Sequence, residues 1–278
     1  MKPKSSLLRP PKNLSSCIAA GVVRDTRGSH LSAADRYNYF PANPLVAISY
    51  VMDGELQTFD FTDNGFDLNS TQSMPRFSKI VSTDHPVMSW SEGDIFAITI
   101  SFYPDAWAKL CAKVGEEELL KQLHDMFLSL DSAQQLDQFW SEICENIFPI
   151  WQEGRENTTL PDWMGSDRLS DWSHFLLARL LTSEAGKSLR TIERRFKYWT
   201  GISKGQINHY ASIETLHDLV TNNPDLSLAE LALTSGYADQ SHMGREVKRL
   251  TGFSPAKINH LIKTAEPFWC YRLLGERF

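Results

Sequence analysis

The sequence predicts an α+β protein. A small β-rich N-terminal domain with following helices leads into an all-α C-terminal domain, where two helix-turn-helix subdomains are joined by a connecting helix. Three observations predict this. Short apolar runs rich in Thr, Ile, Val and Phe dominate the N-terminal stretch. After Pro104 the apolar period changes from about two residues to about 3.6. One sequence pattern then occurs twice in the C-terminal third, 51 residues apart.

In the β-rich part, LVAISYVM (45–52) and ELQTFDF (55–61) flank Asp53-Gly54, which reads as a hairpin turn. RFSKIVS (76–82) and DIFAITISF (94–102) are further strands. Beyond Pro104, three apolar stripes at i, i+3, i+4, i+7 spacing predict helices. They run through Trp107, Leu110, Cys111 and Val114, then Leu119, Leu120, Leu123, Met126 and Phe127, then Leu136, Phe139, Trp140, Ile143, Ile147 and Phe148. The polar, Pro-containing stretch from Gly154 to Gly165 is the linker candidate. The division expected is a sensor or dimerisation domain over 1–155, a linker over 156–167 and a DNA-binding domain over 168–278.

The chain's 278 residues suit two domains with real cores. No apolar run approaches the length of a membrane span, and the basic N-terminus MKPKSSLLRPPKNLSS has no signal-peptide core. It reads as the frayed start of a cytoplasmic protein. Cys17, Cys111, Cys144 and Cys270 lie far apart with no CxxC pair, which excludes a zinc site or redox dithiol and fits reduced, mostly buried thiols. The net charge of −6 is asymmetric: from Lys187 onward thirteen Lys/Arg face nine Asp/Glu, leaving fifteen against twenty-five upstream. A basic C-terminal part behind an acidic one is what a DNA-binding domain with a separate sensor shows.

The two copies are GKSLRTIERRFKYWTGIS (186–203) and GYADQSHMGREVKRLTGFS (236–254). Arg194, Lys197, Thr200, Gly201 and Ser203 match Arg245, Lys248, Thr251, Gly252 and Ser254, and the apolar Ile192 and Phe196 match Met243 and Val247. In the second unit Ser227 and Glu230 form a capping box, and Leu228, Leu231 and Ala232 make a short apolar face. Gly236 then turns the chain and Asp239 caps the next helix. Met243, Val247 and Leu250 point inward on that helix; Ser241, His242, Arg245, Lys248 and Arg249 are left outside. In the first unit Leu189, Ile192, Phe196 and Trp199 are the buried stripe, with Arg190, Glu193, Arg194 and Lys197 on the outer face. Its scaffold helix is expected around Phe175 to Ala185. Helix, glycine turn and a helix with a basic outer face is helix-turn-helix geometry. A lone basic face is usually just solvated, but two copies ending alike in Thr-Gly-x-Ser are hard to explain independently.

On these residues the sequence resembles the AraC/XylS family of bacterial transcription regulators, over about residues 170 to 263. GYADQSHMGREVKRLTGFSP is close to the family's second motif, and SLRTIERRFKYWTGIS resembles its first recognition helix. The resemblance implies two helix-turn-helix subdomains bridged by a long helix, here about Ser203 to Asn222, with each recognition helix in the major groove on one DNA face. It implies base readers at Arg190, Glu193 and Arg194, and at Gln240, Ser241, His242 and Arg245. Lys197 and Arg249 complete the expected contact set. Two departures stand out: Val247 replaces the family's usual aromatic, and Gly244, inside the second recognition helix, costs about 1 kcal/mol against Ala. SFYPDAWAKLCAKVGEEELL (101–120) and VVRDTRGSHLSAADRYNYFPANP (22–44) resemble the sensor halves of a subgroup of these regulators, without the His and carboxylate spacing of a metal-binding cupin.

No Gly-rich phosphate loop, HExxH or GxSxG occurs, and the eight His are scattered, so no enzyme, catalytic residue, metal or cofactor is expected. His85 and His124 read as structural. The partners implied are double-stranded DNA, RNA polymerase, a small-molecule effector and a second copy of the chain, with no membrane. The alternative is a small-molecule-binding or stress protein whose helical domain serves dimerisation. Effector candidates are Arg24, Arg27, Arg36, Tyr50 and Phe59, among a wider cluster of Asp35, Tyr37, Tyr39, Phe40 and Phe61; the same residues also read as ordinary core with an ion-pair network. The apolar tail, with Phe268, Trp269, Tyr271, Leu273 and Leu274, must be covered by the sensor or by another subunit.

Overall fold

The structure is a computed structural model that describes residues 1–63, 65–130, 135–154, 169–182, 188–223 and 226–275. The expected linker over 156–167 lies outside the described residues. Among the described residues nine strands form two antiparallel sheets: β1 Lys4–Leu8, β2 Ile18–Asp25, β3 Tyr37–Phe40, β4 Val46–Asp53, β5 Gln57–Thr62, β6 Gly65–Ser73, β7 Phe77–Ile80, β8 Val87–Trp90 and β9 Phe96–Phe102. One sheet has the order β1-β2-β9-β4-β7 and the other β3-β8-β5-β6.

Two expectations are corrected here. Asp53-Gly54 does not close a hairpin: β4 pairs with β9 and β7, whereas β5 pairs with β6 and β8 in the other sheet. The turn instead carries the chain from one sheet to the other. Only glycine fits it, because φ is +81° and a Cβ would collide with the Asp94 carbonyl oxygen. The N-terminus is not a frayed start either, since Lys4–Leu8 pairs residue for residue with Gly21–Asp25. Alternating burial along β1 was too short to stand out among the flanking prolines and lysines.

Strands β4 and β9 sit at the centre of the larger sheet, and Ile48, Ile98, Ile100 and Phe102 are fully buried. Three helices cover that face: α1 Pro104–Val114, α2 Glu116–Leu128 and α3 Leu136–Gly154. Their predicted stripes are the buried ones, with Trp107, Leu110, Leu119, Leu123, Phe127, Phe139, Ile143 and Ile147 all inside. Cys17 lies beneath them. Burial, and then the Asp105 carboxylate, push its thiol well above the ordinary range, leaving an inert side chain.

The C-terminal half is helical: α4 Leu169–Thr182, α5 Leu189–Thr200, α6 Lys204–Asn222, α7 Leu228–Thr234, α8 Gln240–Thr251, α9 Pro255–Thr264, a 3-10 turn Glu266–Phe268 and α10 Trp269–Leu274. The first scaffold helix, α4, begins earlier than expected.

The two halves share a core. The cluster under α1–α3 continues without a break into Trp172, Leu176, Leu180, Phe196, Ile202 and Ile207. Trp172 packs on Tyr103 with ring centroids 5.4 Å apart, and its Nε1 donates to Asp105 Oδ1 at 2.9 Å. The second helical unit has its own cluster, built on Leu216, Leu231, Met243, Val247, Ile258 and Ile262. The tail closes it: Phe268 stacks on Tyr39 of β3 at 4.6 Å, and Trp269 Nε1 donates to Asn38 Oδ1 at 2.8 Å. Phe268, Trp269 and Tyr271 of the apolar tail are therefore buried within the same chain, whereas Leu274 stays 41% exposed.

Candidate nucleic-acid interface

Each helical unit is built by local chemistry that the sequence carries. In the first, the Ser188 hydroxyl accepts from the Thr191 amide to start α5, and Gly201 ends it in a left-handed conformation at φ +74°. The Ser203–Gln206 capping box then starts the connecting helix α6. In the second, Ser227 and Glu230 cap α7 reciprocally. These hydrogen bonds from Ser227 hold the Glu230 carboxyl below its ordinary value. Asp239 accepts from the His242 amide at 2.7 Å to start α8, and Gly252 ends it at φ +82°. Thr200 and Thr251 play one role twice: each buried hydroxyl donates to the carbonyl a turn back, Phe196 or Val247, and accepts from the amide two residues on.

The resulting faces are plain. On α5, Arg190, Glu193, Arg194 and Lys197 are all exposed, Phe196 is buried, and Ile192 and Trp199 are half-buried. Trp199 is flanked by the Arg179 and Arg195 guanidinium groups at 5.7 and 5.3 Å. On α8, Met243, Val247 and Leu250 are buried while Gln240, Ser241, Arg245 and Lys248 are exposed. Carboxylates are few on these outer faces, so each presents donors to an acceptor-rich partner such as phosphates and base edges.

Two expected contact residues sit differently. His242 is half-buried, its ring set edge-on against Tyr237 at 5.5 Å. Arg249 faces the N-terminal half. Its Nη2 is 3.0 Å from Glu246 Oε2, and its Nη1 donates to the Asp84 carbonyl at 3.2 Å. One exposed residue was not in the expected set: Tyr198, one turn beyond Arg194, is 84% exposed. An aromatic in an apolar-patterned helix reads as core, which is why its sequence position carried no signal. It corresponds to Arg249 in the repeat.

A helix-turn-helix domain family matches residues 181–260, from the end of α4 through α5 to α8 and into α9. Residues 181–260 of the chain thus carry a helix-turn-helix domain. Solved structures similar over much of the chain include ToxT from Vibrio cholerae, at 11% identity over 95% of this chain and 99% of that one, with a TM-score of 0.36. They also include ToxT with an unsaturated fatty acid bound, at 11% identity over 80% and 91% with a TM-score of 0.34. The AraC-like transcriptional activator CuxR is similar at 11% identity over 90% and 100%, with a TM-score of 0.22. No curated protein matches the chain. Among the described residues, no helix is long and apolar enough to cross a membrane, and no group of three or more His, Cys, Asp or Glu could hold a metal ion.

The helix-turn-helix domain is gripped from the N-terminal half at several points. The Ala42 amide donates to the Leu250 carbonyl at 2.9 Å, next to the end of α8. The Tyr210 hydroxyl of α6 donates to the Thr83 carbonyl at 2.5 Å; burial, and then Asp84, push this phenol up to about 12. A Cβ at Gly252 would touch Phe61, Phe66 and Pro86 at 3.5–3.6 Å, so the cap of α8 lies directly on the four-stranded sheet.

These contacts take up the residues expected to hold an effector. Arg24 is buried and pairs with Glu266. Arg27 pairs with Asp25 at 2.8 Å over the Phe96 ring. Arg36 donates to the Leu31 and Glu92 carbonyls. Tyr50 stacks on Phe127 at 5.3 Å within the larger sheet's core, and Phe59 packs on Tyr37 at 6.1 Å on the smaller sheet. They do not converge on one space. His85 stacks on Phe61 and His124 packs at a tilt on Phe77, both in packing roles.

Proposed function

We propose that this regulator reads a specific DNA sequence by setting α5 and α8 into successive major-groove segments, under control of the N-terminal half. One observation carries the reading: two units of the same capped design expose Arg194 and Lys197, and Arg245 and Lys248, at repeat-equivalent positions. Arg190, Glu193 and Arg194 on α5, with Gln240, Ser241 and Arg245 on α8, are the base readers. Lys197 and Lys248 neutralise phosphate; His242 and Arg249 stand at the rim. The contacts from Asp105, Tyr39, Thr83 and Asp84 support control, because a change in the N-terminal half would alter how the two units are presented. RNA polymerase, a second copy of the chain and a small-molecule effector are the partners of this reading.

Footprinting and binding titrations of full-length variants test it. Arg194→Ala or Arg245→Ala is expected to cost about 1–3 kcal/mol in specific binding, the worth of a bidentate contact to a base. Lys197→Ala and Lys248→Ala are expected to weaken binding to all sequences and to flatten its salt dependence. Wild-type affinity in both arginine variants would overturn the assignment of these helices.

A further inference from the structure

Gly244 stands where the protein itself has no use for a glycine. It lies in the interior of α8 with helical backbone, not at a cap or turn. A Cβ built there meets nothing within 4 Å. The other glycines within described helices differ: Gly154 is the last residue of α3, and Gly205 lies in the first turn of α6. The repeat-equivalent of Gly244 is Glu193, exposed on α5, so the unit accepts a long side chain at this point. Only proline is a poorer helix former than glycine. Packing, strain and propensity within the chain therefore all fail to account for it.

The surroundings supply the account. Gln240 and Ser241 lie one turn before Gly244 and Lys248 one turn after, with Arg245 adjacent, and all four are exposed. The buried residues Met243 and Val247 turn α8's other side to the core. A missing side chain amid these donors lets whatever lies on this face come close to the helix backbone, a use of glycine that recurs where backbone must approach a ligand. We propose that Gly244 is the point of closest approach between α8 and DNA, and that its lack of a side chain sets how deeply the helix enters the major groove. This rests on the reading of α8 as a DNA-facing helix. Depth decides which base edges Gln240 and Arg245 reach, so the glycine is a specificity-determining position without a contact of its own.

The test uses the full-length chain and a duplex that the wild type enriches from a random-sequence library. Gly244→Ala, Gly244→Ser and Gly244→Leu are compared with Arg245→Ala, measuring both melting temperature and affinity. The alanine variant is expected to melt about 2–4 °C higher, because a helix-interior glycine has been relieved. Its affinity for the duplex is expected to fall at least tenfold, with larger losses through serine to leucine. The two readouts move in opposite directions, which a folding defect does not produce. Wild-type affinity in Gly244→Ala overturns the proposal if Arg245→Ala has lost binding. A lowered melting temperature in Gly244→Ala overturns it as well, since the fold would then need the glycine. If Arg245→Ala also binds as wild type, the DNA-facing reading of α8 has failed and the proposal falls with it.

Discussion

Arg24 and Glu266, 242 positions apart in the chain, meet with Nη2 and Oε1 at 2.6 Å. Arg24 is 4% exposed, lies 4.9 Å over the Trp269 ring and also donates to Ser5 Oγ. Glu266 receives Arg272 on its other oxygen at 3.1 Å. Burial lowers the Arg24 pKa, opposed by its bond to Glu266, so the pair is what keeps a charge tolerable between the sheet and the tail.

Removing one partner strands the other. Glu266→Ala is expected to destabilise the full-length chain by about 2–4 kcal/mol and to make the tail a site of early proteolysis. The double variant Arg24→Met, Glu266→Leu is expected to recover most of that loss, because apolar groups fill the space without an unpaired charge. Urea melts of the double-mutant cycle measure the coupling. Additive losses would show that the pair does not act as a unit.

Asp105 makes the equivalent link to the first unit. Its carboxylate accepts from buried Trp172 Nε1 at 2.9 Å and faces Lys109 Nζ at 3.6 Å. Asp105→Ala is expected to cost about 1–3 kcal/mol by leaving the indole N–H unpaired. A C-terminal fragment starting near residue 167 would lack this carboxylate, the Tyr103 ring and Tyr39 beneath the tail. It is expected to melt well below the full-length chain and to bind a hydrophobic dye. A fragment as stable as the whole would show that the shared core contributes little.

What the sequence made legible was local. Ser227 with Glu230, Asp239, Gly201 and Gly252 announced caps and stops because each acts on backbone within a turn of itself. The outer faces of α5 and α8 followed from period alone. Pairing was not legible: Asp53-Gly54 has turn chemistry, but nothing near it says whether β4 and β5 go on to meet. Strand β6, GFDLNSTQS, is a polar edge strand with too few apolar residues to announce itself. The contact of Arg249 with the N-terminal half was not legible for the same reason, since Asp84 lies 165 positions away. The effector candidates were recognised as a cluster of rings and charges, but Glu266, the partner of Arg24, lies 242 positions off in sequence.

The capping box of α7 makes the second unit sensitive to acid. Bonds from Ser227 depress the Glu230 pKa below its ordinary value of about 4.5. A depressed carboxylate contributes stability that is present above the unfolded value and lost as pH falls through the folded one. Wild type and Glu230→Ala are therefore expected to differ in melting temperature at neutral pH and to converge as the pH falls below the ordinary carboxyl value and through the depressed one. A difference that does not shrink as the pH is lowered would mean that the side chain acts through packing and not through its charge.

Tyr237 tests the inside of the same unit. Its hydroxyl is buried with no hydrogen-bond partner among the described residues, and burial, then Glu246, push its pKa up to about 12. A buried unpaired hydroxyl costs stability that its removal returns. Tyr237→Phe is expected to be neutral or up to about 1 kcal/mol more stable, by thermal melt, with DNA affinity unchanged. A clear loss would reveal a hydrogen bond to this hydroxyl, and Tyr237 would join His242 as part of a functional edge.

Arg249 separates sequence position from structural placement. By the helical period it belongs to the basic face, yet its guanidinium is held by Glu246 and by the Asp84 carbonyl of the N-terminal half. A residue engaged there gives up an existing pair before it reaches phosphate, so its net contribution to binding is small. Arg249→Ala is expected to lower specific affinity by less than a third of the free energy lost in Arg245→Ala, measured on the same duplex. Its larger effect is expected on stability, through the contact between α8 and the segment before β8. An affinity loss equal to that of Arg245→Ala would show that DNA binding releases Arg249 from Asp84, and the end of α8 would then move away from the N-terminal half when the groove is filled.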